Sequence, residues 1–250
     1  MLCAYHKKYG TEHVLIKLID SWKQALENNN FVGTVLMDLS KAFDCMPHGL
    51  LISKMKAYGL SNNACIFMSS YLSERYQRVK ISTEKSAWTP ILKGIPQGSC
   101  LGPFLFNVFM NDIFYFMETC ALTNYADDNT LDIIANTSEM VLSALGKDTT
   151  NAIKWFTNNF MQANPSKFQF MFIKPTSSKE VTPEYIEVGE TKIPCESDVK
   201  LLGITIDDKL KFDKHIDTLC KNAAKQLNVL HRFKNIFHFK ERETLYNYLI

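Results

Sequence analysis

No two of the seven cysteines (Cys3, Cys45, Cys65, Cys100, Cys120, Cys195, Cys220) stand at C-x-x-C spacing. Their scatter argues against zinc sites of the usual kind and against a disulfide framework, and they read as reduced, packed thiols of an intracellular protein. The six histidines are equally dispersed, and none is assigned a metal. No apolar run approaches the length a membrane span needs, so no membrane partner is expected. The start, Met1-Leu2-Cys3-Ala4-Tyr5 followed by His6-Lys7-Lys8, has no apolar core of the kind a signal peptide carries. Internal repeats and low-complexity linkers are missing as well. Net charge is also scarce: 28 Lys and Arg against 26 Asp and Glu leave +2, which does not by itself announce a nucleic-acid binder. The last fifty residues are basic, with Lys200, Lys209, Lys211, Lys214, Lys221, Lys225, Arg232, Lys234, Lys240 and Arg242. A solvated helix surface explains that pattern as readily as a phosphate-tracking one.

What is present is ordinary globular material. A hydrophobic fraction of 46% with 12% aromatics, over 250 residues, can bury one large domain or one domain with partial appendages. Three- and four-residue spacings predict a helix over residues 11–28, broken by Asn28-Asn29-Asn30. The apolar run Phe31–Met37 predicts a buried strand that ends at Asp38. Pro47 opens the next helix, to about Tyr58, with Gly59 as its cap, and Ser61 caps another through Tyr71. Residues 77–82 alternate like a half-exposed strand, and the turn-rich segment 94–99 leads into an aromatic-rich helix from Pro103 to about Met117. Two strands flank Ala126-Asp127-Asp128-Asn129 as a hairpin. A long helix is expected from Ser138 to Met161, with Leu142, Leu145, Ile153, Phe156 and Phe160 on one face. Strands follow over 168–173, 185–188 and 201–206. Helices over a largely antiparallel sheet make the fold class α+β. The apolar pattern of residues 241–250 is unfinished at Tyr248-Leu249-Ile250, which reads as a fragment or a frame cut short.

Two acidic sites carry the chemistry, each at the end of a strand: Asp38 and the pair Asp127-Asp128. Carboxylates beside apolar runs are costly unless solvated, paired or bound to metal. If the two strands are neighbours, Asp38 and Asp127 converge on a pair of hard cations. Mg²⁺ takes one or two carboxylates and completes its octahedron with water and phosphate oxygens. Two such ions activate a hydroxyl and stabilise a leaving oxygen, the chemistry of nucleotidyl transfer. The alternative is that Asp38 ends a strand while Asp44 and Asp128 cap turns.

The order DLSKAFD, GIPQGSCLGP, YADD, NPSK and KLLGI resembles motifs A to E of the reverse transcriptases. The wording of LMDLSKAFD, YLSERYQRVKI and LLGITIDDKLKFDKHI is similar to the LINE-type, jockey-like branch of non-LTR retrotransposons, from about Tyr9 to the last residue. The resemblance implies a right-hand polymerase palm with partial fingers and a truncated thumb. Residues 1–30 would be partial fingers, 31–45 and 101–206 palm, 46–100 the fingers–palm connection, and 207–250 the start of the thumb. It implies an RNA-directed DNA polymerase that extends a primer 3′-hydroxyl with dNTPs on an RNA template, using two Mg²⁺ ions or Mn²⁺ in their place, inside the cell and by analogy in the nucleus. Asp38, Asp127 and Asp128 match the metal-binding acids, and Leu39 a position whose carbonyl joins the metal shell. Phe43 matches the gate beneath the sugar, where an aromatic ring leaves no room for a 2′-hydroxyl. Pro96, Gln97 and Gly98 match the loop that meets nucleotide and template, and Lys167 the general acid for pyrophosphate. Leu202 and Gly203 match the primer grip. Fingers motifs expected before Tyr9 are not seen, and Phe168 stands where relatives often carry a small polar residue. An inactive retroelement relic with residual RNA binding remains open, as does another palm-type nucleotidyl transferase such as an RNA-dependent RNA polymerase or a nucleotide cyclase.

Overall fold

The computed structural model describes residues 10–232, 236 and 238–249. The reading of the first residues, the start of the partial-fingers span and the final Ile250 lie outside them. The chain divides into two compact units, Met1–Glu196 and Ser197–Ile250.

The first unit is built on a four-stranded antiparallel sheet. Its strands are β1 (Phe31–Met37), β2 (Ala121–Tyr125), β3 (Asp128–Ala135) and β4 (Gln169–Ile173), in the order β4-β1-β3-β2. Every residue of β1 is buried, as an apolar run in a central strand should be. Its two faces meet different helices. Helix α1 (Thr11–Glu27) buries Val14, Leu15, Leu18, Trp22 and Ala25 and packs on β1. On the opposite face Phe31, Val35 and Met37 join a core that includes α4 (Gly102–Met110) and α5 (Ser138–Asn158). Gly33 lets α5 approach: a Cβ there would lie 2.4 Å from Val141 Cγ1. Any side chain at that position overpacks the interface.

Helices α2 (His48–Ala57) and α3 (Asn62–Leu72) follow β1. Ser61 caps α3, its hydroxyl accepting from Ala64 N at 3.3 Å, as expected. One buried cation ties this layer together. Lys54 Nζ donates to Phe109 O (2.9 Å) and Asp112 Oδ1 (2.7 Å) and sits 4.5 Å from the ring centroids of both Phe109 and Trp155. Burial lowers its pKa, against the opposing pull of Asp112.

Several expected elements differ. The strand expected over 77–82 is a ribbon of two short ladders, Tyr76–Gln77 with Thr89–Pro90 and Lys80–Ile81 with Glu84–Lys85, exposed throughout. The aromatic helix changes after Met110 to a 3-10 helix, Asn111–Phe116. Helix α5 ends at Asn158, and Phe160, at φ 60°, turns outward and is 67% exposed. Trp155, Val141 and Ala152 fill the core instead. After β5 (Tyr185–Val188) and β6 (Thr191–Pro194), the single strand expected over 201–206 is a hairpin of β7 (Asp198–Leu201) and β8 (Ile204–Asp207). Leu202 and Gly203 form its two-residue tip, with φ 48° and 87°, the left-handed pair a tight hairpin demands. Helices α6 (Asp213–Arg232) and α7 (Phe239–Leu249) complete the second unit. No helix among the described residues is long and apolar enough to cross a membrane.

Candidate functional site

The sheet brings the two acidic motifs to one end. Met37, the last residue of β1, pairs with Asn129 of β3, so Asp38 follows it at the point where Asp128 precedes Asn129. Tyr125 and Asp128 close the β2–β3 hairpin around Ala126 and Asp127. Ala126 adopts φ 55°, a conformation that suits glycine better than alanine. Two buried asparagines hold it there. Asn124 Nδ2 donates to Ala126 O (2.8 Å) and to Asn129 Oδ1 (2.9 Å), and Asn129 Nδ2 donates to Asp127 O (2.9 Å). Asn124 Oδ1 is buried without a hydrogen-bond partner. These asparagines were missed in the sequence, although Asn124 and Asn129, each one residue outside the Tyr125–Asp128 pair that closes the turn, face each other across a hairpin of that register.

All three acids face solvent. The protein around Asp128 still restricts its hydration, which raises its pKa, and the negative charges of Asp127 and then Asp38 raise it further. The cluster therefore repels itself until a cation joins it. Among the described residues no group of three or more His, Cys, Asp or Glu is disposed to hold a metal ion by itself. The donor chemistry nonetheless fits a hard divalent ion that draws the rest of its shell from water and phosphate.

Beside the acids runs the segment of the expected gate. Leu39 is buried, and Leu39–Ser40 pairs with Gln162–Ala163, which brings the approach to Lys167 next to Asp38. Lys167 itself is exposed on the 3-10 turn Pro165–Lys167. Phe43 lies in the helical turn Ala42–Cys45, half-buried, its ring stacked on Phe106 at 4.4 Å and 21°.

The loop holding Pro96, Gln97 and Gly98 is pinned to that same turn. Ile95 N donates to Phe43 O (2.9 Å), Gly94 N to Met46 O (2.8 Å), and Gln97 Nε2 to Asp44 Oδ1 (3.1 Å). His48 Nε2 contacts Gly94 O at 2.8 Å. Gly94 has φ 89°, and a Cβ there would meet Asp44 Cα at 2.9 Å, so only glycine fits. Between loop and turn opens a groove of about 1130 Å³, lined by Lys41, Asp44, Arg75, Lys93, Gln97 and Phe160 among others. Asp44, Arg75 and Lys93 were not expected in the site. Leu202 and Gly203 belong to the second unit, at its hairpin tip.

Comparison with known proteins follows the same lines. The family model for "Reverse transcriptase (RNA-dependent DNA polymerase)" matches residues 6–206. The chain is similar to the "Probable RNA-directed DNA polymerase from transposon BS" of Drosophila melanogaster, 28% identical over 260 residues, covering 97% of this chain and 28% of that protein. It is also similar to the "RNA-directed DNA polymerase from mobile element jockey" of the same species, 28% identical over 224 residues, covering 86% of this chain and 24% of that protein. The chain thus spans about a quarter of the length of these curated relatives. Among solved structures, apo telomerase from Candida tropicalis, truncated from its C-terminal domain, superposes with TM-score 0.55 at 12% identity. That match covers 84% of this chain and 40% of the other, and it speaks for the fold alone.

Proposed function

We propose, from the premise that the chain belongs to the reverse transcriptase (RNA-dependent DNA polymerase) family, that its strand-end acids serve RNA-templated extension of a DNA primer. The observation that carries this reading is the register of the sheet, which sets Asp38 beside the Asp127–Asp128 hairpin tip. In this family a divalent metal is general, and here we assign two Mg²⁺ ions, replaceable by Mn²⁺. When bound they would lower the pKa of the primer hydroxyl and stabilise charge on the phosphate oxygens.

The chain's own residues do the rest. Asp38 and Asp127, with the carbonyl of Leu39 and with Asp128 behind them, present oxygen donors at a water-facing edge. The primer 3′-hydroxyl gives up its proton to solvent as its oxygen attacks the α-phosphorus of a dNTP, the bond to the β-phosphate oxygen breaks, and pyrophosphate leaves with a proton from Lys167, which solvent then reprotonates. Phe43, braced by Phe106, closes the space where a ribose 2′-hydroxyl would sit. Pro96, Gln97 and Gly98 line the nucleotide's approach, their loop held by the backbone bonds to Phe43 and Met46. Leu202 and Gly203 grip the primer end.

The test is primer extension by the chain on poly(rA)/oligo(dT) with Mg²⁺ and dTTP. Asp38→Asn and Asp127→Asn are expected to lower the rate by on the order of 10²–10³-fold or more while the thermal midpoint holds. Near-parental extension by either variant would overturn the assignment. Phe43→Ala is expected to admit ribonucleotides, and an unchanged preference for dNTPs would remove the gate role.

A further inference from the structure

We propose that the exposed ribbon Tyr76–Pro90, together with the groove at its base, is a track for single-stranded RNA lying outside the acidic centre. That the strand is RNA rests on the proposed function; that it is a single-stranded polyanion rests on the ribbon itself.

The ribbon has no core. Each residue from 76 to 90 is exposed, and its strands are joined by the short ladders, the bonds between Val79 and Ser86 and the contact of Arg78 with Trp88. An isolated two-stranded ribbon is marginal in water, yet this one displays Trp88 at 59% exposure with the Arg78 guanidinium 4.4 Å above its ring. An indole backed by a guanidinium is a platform on which a base stacks, whatever the base's identity.

Charge points the same way. From Arg75 to Lys93 there are five cations and one anion, Glu84, in a chain whose whole net charge is only +2. Lys80 and Lys85 are directly paired across the ribbon. Like charges in that position destabilise a ladder, and a phosphate held between them reverses the sign of the interaction. The track is also continuous. Arg75, Gln77, Pro90 and Lys93, at the base of the ribbon, line the same groove as Lys41, Asp44 and Gln97. A strand stacked on Trp88 therefore has a cationic path to the loop beside Phe43. A duplex keeps its base faces stacked internally and cannot use the indole, which selects for a single strand.

Fluorescence anisotropy of labelled single-stranded oligo(A) with the full chain tests this, with circular dichroism to check that each variant is folded. Trp88→Ala is expected to weaken binding by about ten-fold and Trp88→Phe to restore most of it. The double variant Lys80→Ala/Lys85→Ala is expected to reduce the slope of log affinity against log salt by about 1.4, roughly 0.7 for each phosphate contact. Lys147→Ala, on α5 and paired with Glu118, serves as the control for charge alone and is expected to bind as the parent does. Asp127→Asn, expected to lose extension and keep binding, separates failure of this inference from failure of the polymerase reading. Parental affinity in both ribbon variants would overturn the proposal. So would an equal loss with Lys147→Ala, or a change in self-association without a change in RNA affinity.

Discussion

Asp127 and Asp148 lie at two ends of the same first unit, and their surroundings are opposites. Asp148, on α5, is fully buried and accepts backbone N–H bonds from Glu118, Thr119 and Cys120 at 2.7–3.2 Å. Burial works to raise its pKa, but the donors of Cys120, Thr119 and Glu118 outweigh it and hold the carboxyl below the ordinary range. Burial, and then the charge of that same carboxylate, push the Cys120 thiol up. Asp127, by contrast, stands in water next to two more negative charges. A third kind of acid sits between them in character. Asp132 is buried beneath α1 with Oδ1 unpartnered. The Trp22 indole is close enough to favour its charged form yet short of hydrogen-bond geometry. Burial pushes Asp132 up to about 6, against the lowering influences of Trp22 and Lys17. The difference separates acids that hold the fold from acids left free for cations.

The largest effect expected from this contrast is at Asp148. Asp148→Ala takes the acceptor from three backbone donors, that of Cys120 buried and those of Glu118 and Thr119 part-buried, and is expected to cost about 3 kcal/mol of stability, read from urea unfolding at neutral pH. Because the folded pKa is lowered, the parent's advantage is full above the ordinary carboxylate range and shrinks as pH falls through the folded value. A penalty that persists undiminished in acid would break the account of Asp148.

Asp132 has the opposite sign. Its folded pKa is raised, so the folded state loses stability as pH climbs from the ordinary carboxylate range to about 6 and bears the whole cost above that. Asp132→Asn is expected to stabilise the chain by roughly 2–3 kcal/mol at pH 8 and by little at pH 4. A gain independent of pH would mean that packing, not charge, sets the cost there.

Smaller effects sharpen the site itself. Asp44→Ala frees the Gln97 amide and is expected to raise KM for dTTP about five-fold, the scale of about 1 kcal/mol for one hydrogen bond, with kcat little changed. An unaffected KM would show that the loop is set by its backbone bonds alone. Smallest is Asp128→Asn, which relieves repulsion in an exposed cluster and is expected to raise stability by only a few tenths of a kcal/mol, and only at low salt.

Much of this was legible in the residues. Phe31–Met37 is apolar but for Thr34 and β-branched in part, and its length and flanks favour a strand; the acids at its end and at the next hairpin stood out beside those apolar runs. The end of α5 was not legible, because Phe160 continues the helical spacing while the positive φ that turns it outward has no glycine to announce it. Residues 77–82 alternate as a half-buried strand would, but nothing in that pattern reveals that neither face is covered. The hydrogen bond between Asp44 and Gln97 joins residues 53 apart and leaves no local trace. Lys54, buried between two aromatic rings, reads in the sequence as one more surface lysine of a helix.

The strand-end acids, and not the buried ones, are on this reading the cation site. Electron paramagnetic resonance of Mn²⁺ titrated into the chain with dTTP tests it without relying on turnover. Bound Mn²⁺ is expected in the parent and in Asp132→Asn, and its loss in Asp38→Asn and Asp127→Asn. Equal Mn²⁺ binding by Asp38→Asn, Asp127→Asn and the parent would contradict it.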